Sequence, residues 1–329
     1  MRTLNPPARI ALAYSQVILA GSLWATSGPI SVALFRLGIP PTSVAILRPA
    51  AGVLFLLAIV AVRWASRSTR PPGAALPNPR PEGNDTDRTG QAQRRADLAG
   101  MILLGGIIVG IFQVAYQMST DSVGVPATVA LLYLAPALVI AASAVLFGER
   151  ITPAKALLAA ISIAGVWLTV LGTRGVDLEL TLGGVLWGCL CGIAYAAYTL
   201  FGKWYGRHYG PLIPLFWSTA AGTVLLGLVW MARGEEVVLP GTPTELALVL
   251  LLGLLTIALA ALLLFNAMRT LEAGRASIGT TVEPMMAAIL AWLFLDQVLT
   301  PWGVVGLVVL VVGVAGAYAV RTPATADER

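Results

Sequence analysis

Long apolar stretches separated by short polar ones set the pattern of this chain, and ten of them are long enough to cross a bilayer. A hydrocarbon core of about 30 Å takes about 20 apolar residues per helix. The pattern predicts spans over residues 10–35, 43–63, 98–118, 123–147, 153–172, 182–202, 211–232, 245–268, 274–295 and 301–320. The run from Ile10 to Phe35 follows Arg2 and Arg9 and is too long for a signal-peptide core, so it reads as an uncleaved first span. Residues 64–97 interrupt the pattern. They are rich in Pro, Gly, Asn, Asp and Arg, with almost nothing to bury, and are expected to form a disordered cytoplasmic insert.

The second five spans repeat the first five. Leu131-Leu132-Tyr133-Leu134-Ala135-Pro136 has its counterpart 148 residues later at Thr281-Val282-Glu283-Pro284. Thr152-Pro153 maps onto Thr300-Pro301 and Gly165 onto Gly313 without a gap. Leu23-Trp24 corresponds to Leu186-Trp187, and Gly52 beside Ala50-Ala51 to Gly222 beside Ala220-Ala221. An odd number of spans per copy forces the second copy to enter the membrane from the other side. The expected fold is an all-α integral membrane protein: ten transmembrane helices as two inverted five-helix repeats around a central cavity. The first repeat covers 10–172, the second 182–320, and a cytoplasmic tail 321–329.

Composition agrees with this reading. The chain has 329 residues, 57% hydrophobic and 11% charged, with mean hydropathy +0.83. A soluble domain carries about a quarter charged residues. A pI near 9.5 and a net charge of +5 would suit a nucleic-acid partner, but the positions of the basic residues say otherwise. With the N-terminus inside, seventeen Lys and Arg fall in cytoplasmic segments and three, Arg36, Arg174 and Arg233, in external ones. This positive-inside bias places both termini in the cytoplasm and the chain, multi-pass, in the plasma (cell inner) membrane, with lipid rather than nucleic acid as partner.

Two charges lie within predicted spans, Arg48 and Glu283. Either is costly at mid-bilayer, by about 2.5–3.5 kcal/mol on insertion scales, and such residues normally face a cavity or a partner. Arg48 has two readings: it snorkels to the outer surface, or its planar fork grips a substrate carboxylate. Glu283 also has two: it bonds local groups near Pro284, or it binds an amine or carries a coupling proton. Polar and aromatic residues inside spans sketch a cavity through Trp24, Gln113, Tyr116, Gln117, Tyr133, Trp187, Tyr195 and Asn266. Tyr198 and Trp204, near a membrane edge, read as interfacial anchors. Pro136 and Pro284 are candidate helix breaks for gating. Spans five and ten offer almost no such groups and are expected at the periphery, facing lipid or packing a partner through Gly303, Gly306, Gly313 and Gly316. Cys189 and Cys191 are two residues apart on one helix, so they cannot pair with each other. No nucleotide-binding loop, metal motif or catalytic set is present, and no cofactor or enzymatic activity is expected.

Glu283-Pro284, the Phe147-Gly148-Glu149-Arg150-Ile151-Thr152 stretch, Leu23-Trp24 and Arg48 together resemble the drug/metabolite transporter superfamily, EamA type. The resemblance covers residues 14 to 320 apart from the insert. It implies a ten-helix carrier that exports amino acids, other metabolites or drugs from a cavity lined by spans one to four and six to nine. One departure is Gln297, where the family usually repeats the acid seen at Glu149. The expected function is secondary-active export of a small metabolite such as an amino acid by alternating access, with protons as a candidate coupling ion. The alternative is a broad-specificity carrier for drugs and toxic compounds. Oligomeric state is left open.

Overall fold

Proline at the start of helices and glycine past their ends divide the apolar chain into elements. Pro41, Pro153, Pro243 and Pro301 each open a helix, where the missing N–H is not needed. Gly38, Gly124, Gly210 and Gly234 turn the chain between helices with φ between 68° and 93°, a region glycine enters without strain. Thr242 and Glu245 form a capping box that fixes another start.

The structure is a computed structural model that describes residues 6–68, 88–135, 137–139, 141–142, 152–174, 181–267, 270, 280 and 282–319. Its helices are α1 (Pro6–Ala25), α2 (Ser27–Arg36), α3 (Pro41–Ser68), α4 (Arg88–Val123), α5 (Val125–Leu132) and α6 (Pro153–Gly172). After a short strand β1 (Thr173–Arg174) come α7 (Leu182–Tyr209), α8 (Leu212–Arg233) and α9 (Pro243–Leu252). A π-helical segment, Gly253–Leu259, joins α9 to α10 (Ala260–Ala267). The chain continues through α11 (Val282–Leu295), β2 (Val298–Leu299) and α12 (Pro301–Ala319).

Among the described residues, six helical stretches are long and apolar enough to cross a membrane: 8–36, 41–62, 91–123, 182–206, 212–233 and 243–267. Four shorter apolar helices fall at 125–139, 156–172, 282–295 and 301–316. Large apolar side chains such as Leu54, Leu103, Leu182 and Trp302 stand on the outer surface, as lipid contact requires.

Several boundaries differ from the sequence pattern. The expected insert 64–97 is helical at both ends, since α3 reaches Ser68 and α4 begins at Arg88. Residues 69–87, the tail 321–329 and Pro136 lie outside the described residues. The first span is broken at Thr26, whose hydroxyl donates to the carbonyl of Leu23 at 2.7 Å. The helix α3 passes through Pro49, and Pro284 lies in the first turn of α11, which runs to Leu295.

The helices α6 and α12 pack against each other through glycine. A Cβ on Gly165 would meet the backbone of Leu310, one on Gly306 the backbone of Leu168 and Thr169, and one on Gly313 that of Ser162. Backbones this close gain dispersion along the whole helix pair, which drives association where lipid is as apolar as leucine. Strands β1 and β2 add an antiparallel clip, with Thr173 opposite Leu299. The central core takes in this pair through Val166 and Val170 of α6 and Leu310 and Val314 of α12. It gathers α2, α4, α5, α7 and α11 around Tyr116, Leu131, Tyr133 and Cys191.

Candidate functional site: a cavity lined by Arg48 and Glu283

A close helix crossing creates the site. A Cβ on Gly52 of α3 would strike the Ile257 side chain, and one on Gly253 would strike Ala51 and the Gly52 backbone. Two glycines at the crossing therefore let α3 lie directly on the π-helical segment. Arg48 stands one turn before Gly52 and Thr256 just after Gly253, so their side chains meet. Arg48 Nε donates to Thr256 Oγ1 at 3.0 Å.

Thr256 connects three elements. Its hydroxyl donates to the Leu252 carbonyl at 2.7 Å while accepting from Arg48, so both of its functions are used. Its own carbonyl accepts from Trp24 Nε1 at 2.8 Å. π-helical turns shift the backbone ladder and are frequent at functional sites.

The Arg48 guanidinium lies 5.1 Å from the ring centre of Tyr116, within cation–π range. Arg48 is only 3% exposed, yet its Nη1 has no hydrogen-bond partner among the described residues. Protein thus holds Nε, while Nη1 is buried without a partner among the described residues.

Around this group is a cavity whose empty space, open solvent included, is about 620 Å³. Aromatic rings make much of its wall. Tyr195 meets Trp24 edge-on at 6.4 Å between centroids and Phe112 at 6.0 Å, and Phe112 meets Tyr116 at 6.1 Å. Ser27, Gln113, Thr219 and Thr256 supply polar points, and Glu283 supplies a carboxyl group. Glu283 is 5% exposed. The Tyr133 hydroxyl lies 3.2 Å from its Oε2 and 2.5 Å from the carbonyl of Thr280. The phenol therefore has two acceptors for one proton.

Six residues singled out from sequence converge here: Trp24, Arg48, Gln113, Tyr116, Tyr195 and Glu283 all line the cavity. Tyr133 stands behind Glu283 rather than on the wall. Gln117 is fully buried one turn beyond Gln113 and is not a lining residue. Trp187 packs on the central core, away from the cavity. Asn266 also lies elsewhere, with its amide donating to Gln16 at 3.2 Å between α10 and α1. Pro284 adjoins Glu283 in the first turn of α11.

Tyr198, read as an edge anchor, lines the cavity instead, because α7 continues to Tyr209 and leaves it three turns inside the helix. Trp204 is 56% exposed, as an anchor would be. Phe112, Thr219 and Thr256 were not anticipated. Thr256 offers no signal beyond the small residue Gly253 three positions earlier.

Gln297 caps a helix. It is buried, and its Oε1 accepts from the backbone N–H of Val125 at 2.9 Å, at the start of α5, whose own N-cap is Gly124. A glutamate oxygen would serve the same N–H, so the departure noted from sequence leaves this contact intact.

Comparison with known proteins supports this architecture. The chain is similar over 223 residues, at 26% identity, to the uncharacterized transporter YdfC of Bacillus subtilis (strain 168), covering 68% of this chain and 72% of that one. An uncharacterized transporter of Archaeoglobus fulgidus is 25% identical over 217 residues, covering 66% and 76%. A crystal structure of a protein with 18% identity shares the fold, with a TM-score of 0.59 over 94% of this chain and 96% of the other. The profile of the EamA-like transporter family matches residues 11–171 and again residues 182–319. Since that profile accounts for each half of the chain in turn, the protein is a membrane transporter that belongs to the EamA-like transporter family.

Proposed function

We propose that the protein is a secondary-active exporter of small carboxylate-bearing metabolites, amino acids first, working by alternating access. The observation that carries this reading is the guanidinium of Arg48. It is buried, braced by Thr256 and Tyr116, and has one nitrogen unpartnered in a cavity walled by aromatic rings. A planar fork with a free arm suits a carboxylate. Glu283 on the same cavity offers an acceptor for an amine, or a site where a coupling proton rides.

The inverted arrangement has support in paired contacts. Ala51 and Gly52 of the second span meet Gly253 of the eighth, and Ala221 and Gly222 of the seventh meet Gly106 of the third. If spans one to five and six to ten are two copies, these are one contact seen twice. The four shorter apolar helices fall at the fourth, fifth, ninth and tenth spans, which also correspond. Two halves of this kind would rock around the cavity between them.

A thermal-shift comparison tests the cargo class. L-Leucine and 3-methylbutylamine differ by one carboxylate. A ligand at 100 times its Kd stabilises by about 2.7 kcal/mol. Stabilisation by leucine or another amino acid, absent with the matched amine and lost in Arg48→Met, is expected. Stabilisation by amines and cationic dyes, with none by any carboxylate, would overturn it in favour of a drug carrier.

A further inference from the structure

Polar side chains continue past the cavity along α2 and along α4, two helices that touch. Gln113, Gln117 and Thr120 fall at i, i+4 and i+7 of α4 and so share one stripe. Gln113 lines the cavity. At 1.5 Å per residue, Gln117 and Thr120 stand about 6 Å and about 10 Å further along the axis. On α2, Ser27 lines the cavity and Ser31 stands one turn further on the same face. The two helices pack together, with Ser27 against Tyr116 of α4. Both run toward the end that the charge pattern places outside.

These groups are buried and unpaired. Ser31, Gln117 and Thr120 are at most 1% exposed. Ser31 Oγ, Thr120 Oγ1 and both polar atoms of Gln117 have no hydrogen-bond partner among the described residues. Leucine, valine and alanine in their places would make a more stable helix contact, since a buried polar group without a partner opposes folding. The α2 helix is also a separate ten-residue piece, set off by the turn at Thr26 on one side and Gly38 on the other.

We infer that Ser31, Gln117 and Thr120 form the outer leg of the transport path, a hydrogen-bonding track for a zwitterionic solute leaving the Arg48 cavity as α2 separates from α4. The inference rests on the export reading above. In the structure the leg is closed, and its orphaned groups are those a passing solute and its water would satisfy.

Single cysteines test it in the full chain with Cys189 and Cys191 replaced by alanine, using a membrane-impermeant maleimide outside intact cells. Gln117→Cys is expected to react at least ten-fold more slowly than Leu37→Cys on the exposed turn. It should also react at least ten-fold faster than the outward-facing Ile111→Cys. Where Gln117→Cys does not reach the membrane, Thr120→Cys carries the same expectation. In a companion variant, Gln117→Leu should raise the unfolding temperature and slow leucine counterflow in proteoliposomes at least ten-fold. A cysteine at 117 or 120 no more reactive than that at 111 would overturn the proposal, as would full counterflow in Gln117→Leu. External labelling at 117 with no leucine flux in the unmodified protein would uphold the track and refute the amino-acid cargo.

Discussion

Arg48 and Thr256, 208 positions apart, are joined by a 3.0 Å hydrogen bond across the crossing of Gly52 and Gly253. That bond holds Nε of a buried guanidinium whose Nη1 has no hydrogen-bond partner among the described residues. Thr256→Val keeps the volume and removes the acceptor. The expected loss is about 1.5–3 kcal/mol, the worth of a hydrogen bond to a charged group, read as a lower unfolding temperature in detergent. Thr256→Ser restores the hydroxyl and should recover most of it.

Arg48→Lys keeps the charge but loses the fork. Its ammonium cannot hold Thr256, stack on Tyr116 and present a free arm at the same time. Substrate counterflow in proteoliposomes is expected to fall at least ten-fold while the protein stays monodisperse. Unchanged counterflow would show that a point charge suffices.

Much of the frame was legible in the sequence. Span positions follow from apolar length, and Arg48 and Glu283 stand out because charge in a bilayer demands a partner. The cavity wall was half legible. Trp24 and Trp187 fall at corresponding places in the sequence pattern, yet only Trp24 lines the cavity; its helix ends at Ala25, while α7 runs unbroken to Tyr209. Asn266 looked like a ligand contact because nothing in the sequence reveals that Gln16 comes within 3.2 Å. Thr256 was hidden for a similar reason. A threonine in a leucine-rich span reads as packing, and the π-helical register that exposes its carbonyl to Trp24 is a product of tertiary contact.

Glu283→Gln keeps the shape and the contact with Tyr133 but cannot exchange a proton. If Glu283 is the coupling site, flux driven by a proton gradient is lost while substrate-for-substrate exchange persists. Both are measured in proteoliposomes with and without an imposed pH difference. Undiminished gradient-driven flux would assign Glu283 to substrate binding or local structure.

Gly165→Ala places a methyl against the backbone of Leu310, whereas Gly183→Ala meets nothing within 4 Å. Overpacking typically costs about 1–3 kcal/mol. The first variant should unfold at a lower temperature and the second should not, since alanine is the better helix former by up to about 1 kcal/mol. Equal effects would remove the tight α6–α12 contact from the account.

Gln297→Glu should be tolerated, with a carboxylate oxygen accepting from Val125 N–H at a helix start that favours negative charge. Gln297→Leu should cost about 1 kcal/mol, as loss of a helix cap does. Thermal unfolding of the two variants side by side checks both.

The account depends most on the second half of the chain being the first half inverted. If the halves are inverted copies, the turn after Arg36 and the end of α7 near His208 fall at equivalent places and on opposite sides of the membrane. The direct measurement is labelling of Leu37→Cys and His208→Cys in intact cells with an impermeant maleimide, before and after permeabilisation. Reaction at 37 from outside, and at 208 only after permeabilisation, is the predicted result. Reaction of both from the same side would contradict it.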